Sequence, residues 1–281
     1  MLFLNPKKVK IVFLFAILWA LYPIYPDTDE ILFFQRFVLE KYDLKQNYGK
    51  GCELKDPNEQ NFREMKKKLR ILYINHYPYS FYCQCKIFWD PLSNKLYPDP
   101  SSCGYRKKSP KAKVFINWEH VMPASRIGGK LPCWKERLCF DKDKGKPFRG
   151  RKCCNEIDPC FNIMEGDVHN LVPEIFELNN DRKNFRFGLI HGEKREYGEC
   201  DFEVDTIYDV AEPMESIRGD IARAYLYMSW FYGIPLTNEE KKLFSEWNLL
   251  DPPSETEIKL NKLKARIQGN ENPFISYYKK P

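Results

Sequence analysis

The sequence lacks several features that would point directly to a function. Its net charge is only +6, from 45 Lys and Arg residues against 39 Asp and Glu residues, so charge alone does not indicate a nucleic-acid-binding protein. Its 20 prolines and 14 glycines fall short of low-complexity composition, and no internal repeat is present. With 43% hydrophobic and 15% aromatic residues, the chain can build a full-sized core, which argues against intrinsic disorder.

The N-terminal apolar run is too short for a typical membrane span. It extends from Ile11 to Tyr22, whereas a spanning helix needs about 20 apolar residues. Lysines precede the run and no acidic residue occurs before Asp27, which is the layout of a secretory signal peptide. No clean Ala-x-Ala cleavage site follows. The sequence therefore predicts a signal peptide or signal anchor over residues 1–26, a periplasmic or secreted protein, and membrane contact only if the segment is retained.

The cysteines favour export as well. There are ten, and an even number in an exported chain predicts a disulfide framework. A zinc site is the alternative, suggested by the pair Cys83 and Cys85 and by the group Cys153, Cys154 and Cys160. Structural zinc sites usually carry Cys-x-x-Cys pairs or spaced histidines, and neither occurs here. The sequence leaves the pairing of the cysteines open.

Local patterns predict helices near both ends of one domain. No flexible linker follows residue 60, so we expect an N-terminal extension over 27–57 and a single domain over 58–281. The predicted elements are a short helix around 31–38, a helix over 59–73, a strand over 114–118, a disulfide-stapled irregular loop over 128–162, and helices over 216–232 and 238–247. The last helix begins at a capping box formed by Thr237 and Glu240.

Histidine is rare, so each of the four residues can be assessed. His76 and His191 lie in predicted loops with no acidic neighbour. Glu119 and His120 combine a hard oxygen ligand with a base whose pKa falls near neutrality. One carboxylate and one Asn amide oxygen, completed by waters and phosphate, would suit Mg²⁺. Adjacent residues of a regular strand point to opposite faces, so a shared site requires the strand to end or bulge near Pro123.

Several longer strings bear a family resemblance. They are WEHVMPA at 118–124, CW at 133–134, MEGDVHNLVP at 164–173, ELNNDR at 177–182, RGDIAR at 218–223 and QGNENPF at 268–274. Together they resemble the bacterial endonuclease I family, which consists of exported nucleases with little sequence specificity. The resemblance covers roughly residues 60–276 in family order.

The resemblance implies an α+β fold, a mixed and helix-rich domain with a ββα-metal motif. By analogy, a β-hairpin presents Glu119 and His120, and a following helix presents Asn170. Glu119 and Asn170 would bind Mg²⁺, with Mn²⁺ or Ca²⁺ as substitutes, and His120 would activate the attacking water to give 5′-phosphate and 3′-hydroxyl ends. His169 is expected to be structural. The implied substrate is DNA, with RNA as a second one, and we expect a monomer without a small-molecule cofactor.

The chain departs from the family pattern in several places. The family usually has an arginine after Cys-Trp that stabilises the scissile phosphate. Arg137 is our choice for that role, with Lys135 and Arg151 as rivals. Phe176 replaces a residue that is often glycine, and we expect it to repack its surroundings.

Two questions stay open at this level. The basic residues between 142 and 152 are either phosphate contacts or a solvated loop. The fold could also belong to a catalytically inactive nucleic-acid-binding protein or to an envelope-anchored interaction protein. The intact set of Glu119, His120 and Asn170 favours the enzyme.

Overall fold

A short antiparallel sheet carries the predicted Glu-His motif, and helices pack around it. The computed structural model describes residues 50–53, 55–192 and 194–279, which fall within the unit Leu44–Lys280. The predicted signal segment and the predicted helix around 31–38 lie outside the described residues. Among the described residues, no helix combines the length and the apolar character needed to cross a membrane.

The strands of the described residues fall into three sheets. Their bounds are β1 (Ile87–Asp90), β2 (Lys95–Pro98), β3 (Ile116–His120), β4 (Cys139–Asp141), β5 (Lys146–Phe148), β6 (Leu171–Ile175), β7 (Arg186–Phe187), β8 (Phe202–Asp205) and β9 (Val210–Pro213). The first sheet has the order β1-β2-β3-β6 and is antiparallel throughout. Strands β4 and β5 form a hairpin, and the third sheet has the order β7-β9-β8.

The helices account for more of the chain than the strands do. Their bounds are α1 (Phe62–His76), α2 (Ala124–Gly128), α3 (Pro132–Lys135), α4 (Arg151–Ile157), α5 (Pro159–Glu165), α6 (Phe176–Arg182), α7 (Arg218–Tyr232), α8 (Asn238–Leu250), α9 (Glu255–Gln268) and α10 (Pro273–Ser276). Short 3-10 turns occupy Lys50–Cys52, Pro100–Ser102 and Glu215–Ile217. The predicted mixed, helix-rich α+β class is confirmed.

Helix α1 packs against the segment that leads into β6. Asn61 caps the helix by accepting a hydrogen bond from the backbone N–H of Glu64, so the helix begins three residues later than predicted. Met65 and Leu69 are fully buried in a cluster that also contains Val168 and Leu171. Burying side chains of this size stabilises the fold by about 1.5–3 kcal/mol each.

All ten cysteines are paired, as the sequence predicted. The bonds join Cys52 to Cys160, Cys83 to Cys200, Cys85 to Cys103, Cys133 to Cys154, and Cys139 to Cys153. The zinc alternative is therefore wrong, because the sulfurs it requires are in disulfides.

The segment 128–162 is more regular than predicted. Instead of an irregular loop it contains α3, the β4–β5 hairpin, α4 and α5. Two disulfides tie α3 and the hairpin to α4. The short elements escaped prediction because these cross-links, rather than long periodic patterns, hold them in place.

Candidate active site

Glu119 and His120 meet in a groove next to the pairing of β3 with β6. Glu119 lies opposite Val172 and His120 lies opposite Leu171 in the antiparallel register. Strand β3 ends at His120, which relieves the alternation that would otherwise separate adjacent side chains. The groove has a volume of about 340 Å³, and its lining includes Glu119, His120, Arg151, Asn179 and Arg182.

Glu119 is a buried carboxylate held from two sides. Its Oε1 accepts hydrogen bonds from the Tyr82 hydroxyl at 2.7 Å and from Arg182 Nη1 at 3.0 Å. Burial raises the pKa of Glu119 above its usual value, while the Arg182 charge and the Tyr82 hydrogen bond act in the opposite direction. A second positive charge in the groove would therefore stabilise the ionised form.

His120 is buried and oriented by a backbone carbonyl. Its Nε2 lies 2.9 Å from the carbonyl oxygen of Glu165, and its ring centroid lies 4.7 Å from that of Phe62. A carbonyl oxygen only accepts, so Nε2 carries the proton and Nδ1 keeps a lone pair. Burial, and after it the Arg151 charge, lowers the pKa of His120 to about 3. The imidazole is therefore a neutral base over most of the pH range.

Arg182 holds the end of β3 in place through hydrogen bonds. The side chain is fully buried at the end of α6, and it donates to the carbonyl oxygens of His120 at 3.0 Å and Val121 at 2.7 Å as well as to Glu119. Arg182 belongs to the string ELNNDR, but nothing in the sequence predicted this role.

Asn170 does not face the groove. It lies in a turn before β6, not on a helix as expected. Its Oδ1 accepts from the backbone N–H of Met122 at 2.6 Å, and its Nδ2 donates to the carbonyl oxygen of Met122 at 3.0 Å. The fully buried amide thus ties the turn to the segment after β3, and it is not among the residues that line the groove.

Asn179 occupies the position that was expected for Asn170. It lies on α6, the helix that follows β6, and it lines the groove together with Glu119 and His120. Its Nδ2 donates to Asn117 Oδ1 at 3.1 Å, which leaves the Asn179 Oδ1 as an oxygen that could bind a cation. The available signal was the string ELNNDR, in which Asn179 stands three residues before Arg182.

The structure brings Arg151, and not Arg137, to the groove. Arg137 and Lys135 are exposed and are not part of the lining. Arg151 begins α4, its Nε donates to the Glu165 carboxylate, and its guanidinium carbon lies 5.4 Å from the centroid of the Phe62 ring. The rival named from the sequence is thus the arginine next to His120.

The remaining predicted residues lie elsewhere. His169 is buried, and its Nε2 lies 2.8 Å from the carbonyl oxygen of Asn270. Burial lowers the pKa of His169 to about 4, against an opposing effect of Asp167. The basic residues Lys142, Lys144 and Lys146 lie exposed on the β4–β5 hairpin.

The groove offers oxygen ligands for a hard cation. Within the described part of the chain, no cluster of three or more His, Cys, Asp or Glu side chains could hold a metal. The Glu119 carboxylate and the Asn179 amide oxygen supply two oxygens in one groove, a set that suits Mg²⁺ because this ion keeps several of its waters.

The chain is similar to known proteins over most of its length. The profile of the family described as Endonuclease I matches residues 46–278. An extracellular deoxyribonuclease of Aeromonas hydrophila is 43% identical over 218 residues, which cover 77% of this chain and 89% of the relative. A periplasmic deoxyribonuclease of the same species is 42% identical over 77% of this chain and 85% of the relative. Endonuclease-1 of Buchnera aphidicola subsp. Acyrthosiphon pisum is 36% identical over 85% of this chain and 90% of its own length.

The family match and these relatives define a nuclease. The chain belongs to the endonuclease I family.

Proposed function

We propose that the protein is an exported, Mg²⁺-dependent endonuclease that hydrolyses phosphodiester bonds of DNA with little sequence preference, with RNA as a second substrate. One observation carries the proposal: His120 is a neutral, carbonyl-oriented base in the same groove as the Glu119 carboxylate and Arg151. The names of the relatives, extracellular and periplasmic deoxyribonuclease, support both the substrate and the export. The ten paired cysteines fit an oxidising compartment.

The metal ligands we propose are Glu119 and Asn179, in place of the sequence-based pair of Glu119 and Asn170. The Asn170 amide is hydrogen-bonded to both the backbone N–H and the carbonyl oxygen of Met122, whereas the Asn179 Oδ1 accepts no hydrogen bond from the described residues. The groove fits a cation because Glu119 is desolvated there with only part of its charge balanced by Arg182. When bound, Mg²⁺ would offset negative charge on the scissile phosphate and on the leaving oxygen.

His120 acts as the general base in this proposal. Its Nδ1 accepts a proton from the water that attacks phosphorus, while Nε2–H stays bonded to the carbonyl oxygen of Glu165. That hydrogen bond fixes the tautomer and strengthens as the ring becomes positive. Because burial keeps the His120 ring neutral, no proton has to leave it before the reaction, and Nδ1 can accept a proton at neutral pH.

Arg151 takes the role that the family resemblance predicted for Arg137. Its guanidinium lies on the groove beside His120, held by the Glu165 carboxylate, and its side chain is 44% exposed, so it can reach a phosphate. A fixed cation at the phosphate stabilises the charge that develops there. Attack by water with departure of the 3′ oxygen gives 5′-phosphate and 3′-hydroxyl ends.

A plasmid-nicking assay tests the proposal. Oxidised protein without residues 1–26 is incubated with supercoiled plasmid in Mg²⁺, in EDTA, and in Mg²⁺ as the His120→Ala variant. We expect the wild type to cut in Mg²⁺ and not in EDTA. The cleavage rate of the His120→Ala variant should be lower by at least about 100-fold. DNA ligase should seal the nicks, because their ends are 5′-phosphate and 3′-hydroxyl. Equal cutting in EDTA, or none by the wild type, would contradict the proposal.

A further inference from the structure

A second pocket adjoins the active-site groove and is lined by lysines. It has a volume of about 470 Å³, and its cationic residues are Lys108, Lys111, Lys113 and Lys183. Lys183 lines this pocket and the active-site groove alike. The two cavities therefore meet at Lys183, directly after α6, and a strand that leaves the groove on this side would meet the lysines next.

Three of these lysines are free to bind an anion. Lys111, Lys113 and Lys183 are exposed and form no ion pair with the described residues, whereas Lys108 pairs with Glu196 at 2.6 Å. The acidic residues of the pocket already have partners. Glu177 accepts from the Tyr105 hydroxyl, and Asp181 accepts from the Tyr197 hydroxyl at 2.6 Å.

Lys183 adopts a backbone conformation that favours glycine. It follows α6 with φ of 53° and ψ of −122°, a region that side chains with a Cβ rarely occupy. It lies between two buried residues, Arg182, which donates to Glu119, and Phe185. The Lys183 Nζ lies 5.2 Å from the centroid of the Phe185 ring, and the side chain lines both cavities.

Phe176 gives the pocket an apolar wall. It stacks on Phe115 with ring centroids 4.7 Å apart and an interplanar angle of 26°, and it is half-buried. Phe176 therefore presents its ring beside the lysines that line the pocket. Positive side chains next to an aromatic face are the combination that binds single-stranded nucleic acid.

We propose that this lysine-lined pocket is a second subsite, which binds the phosphodiester backbone of the nucleic-acid strand as it leaves the active-site groove. Lys183 holds the phosphate nearest the groove, Lys111 and Lys113 hold those beyond it, and Phe176 contacts a sugar or base. The inference rests on the proposed function, since it assumes that the groove holds the same strand.

The salt dependence of binding tests the subsite. The inactive His120→Ala protein is titrated, in Mg²⁺, into a fluorescent single strand of about 20 nucleotides, and the dissociation constant is measured by anisotropy at several salt concentrations between about 50 and 200 mM. The triple variant Lys111→Gln, Lys113→Gln, Lys183→Gln is measured in the same background. Loss of three phosphate contacts lowers the slope of log K against log salt by about 2, since each contact contributes about 0.7 on a single strand.

A matched variant controls for overall charge. Lys259→Gln, Lys262→Gln, Arg266→Gln removes three exposed cations of α9, none of which lines either cavity, and its slope should equal that of the parent. Lys183→Gly removes one charge while relieving the backbone, so its melting temperature should not fall and its slope should drop by about 0.7. A slope in the triple variant equal to the control's overturns the subsite. Because the readout is binding, a wild type that failed to cut DNA would contradict the proposed function without altering this result.

Discussion

Arg182 Nη1 donates to Glu119 Oε1 across 3.0 Å, and both side chains are buried. The same guanidinium holds the carbonyl oxygens of His120 and Val121. The residue that balances the charge of the proposed metal ligand thus also fixes the backbone of the proposed base. Stability and chemistry are coupled at this point of the fold.

Breaking this pair should destabilise the protein strongly. Arg182→Met leaves the Glu119 carboxylate buried without its cation, and we expect the free energy of unfolding in urea to fall by about 3 kcal/mol or more. Arg186→Met, four residues on and exposed, is the control, and it should change the value by less than about 0.5 kcal/mol. Similar values for the two variants would mean that the buried pair is not what holds the end of β3.

The two asparagines should separate activity from stability. Asn179→Ala removes a proposed ligand from a half-buried position, so we expect cleavage to fall by about 100-fold or more with little change in melting temperature. Asn170→Ala leaves the Met122 backbone groups unsatisfied, which costs about 1–3 kcal/mol for each buried group. Its activity below its own melting transition should stay near that of the wild type. The reverse pattern would restore Asn170 as the ligand.

The two candidate arginines can be distinguished by turnover. Arg151→Ala removes the cation on the groove and should lower kcat by about 100-fold, as loss of a group that stabilises transition-state charge does. Arg137→Ala removes an exposed side chain outside the groove and should leave kcat within about twofold. Steady-state kinetics on a labelled duplex measure both. A larger loss for Arg137→Ala would return the role to that residue.

Acid should weaken the fold through His169. Its folded pKa is about 4, below the ordinary value of 6.5, so the unfolded chain takes up a proton that the folded chain refuses. Stability from this group is complete above pH 6.5 and is lost as the pH falls from 6.5 to 4, by about 3 kcal/mol at most. His169→Gln has no such group. Urea unfolding across this range should therefore show a smaller loss in the variant, and parallel curves would contradict the assignment.

The sequence predicted the elements whose signals are local. The capping box of Thr237 and Glu240 is present at the start of α8, and α7 ends at Tyr232 as expected. The β4–β5 hairpin and α4 were not predicted, because disulfides between distant cysteines shape them. No sequence signal shows which cysteines meet.

The site residues also divide into those with a local sequence signal and those placed by tertiary contacts. Glu119 and His120 are neighbours in the chain, so their shared groove could be predicted once β3 was expected to end there. Asn179 reaches the groove because β6 pairs with β3 and α6 then turns back over them, which is a tertiary relationship. Arg151 reaches it because Cys154, on the same helix, is bonded to Cys133. Arg137 was favoured because it follows Cys133 and Trp134 closely in the sequence, whereas the disulfide brings Arg151 close to them in space.

Chemical rescue tests the central claim, that His120 is the base, most directly. Single-turnover cleavage of an end-labelled duplex is measured in Mg²⁺ for the wild type and for His120→Gly, with and without added imidazole. We predict a loss of at least about 100-fold in His120→Gly and a partial recovery that grows with imidazole concentration, because the free base fills the vacated position. Cleavage by His120→Gly at the wild-type rate would contradict the account.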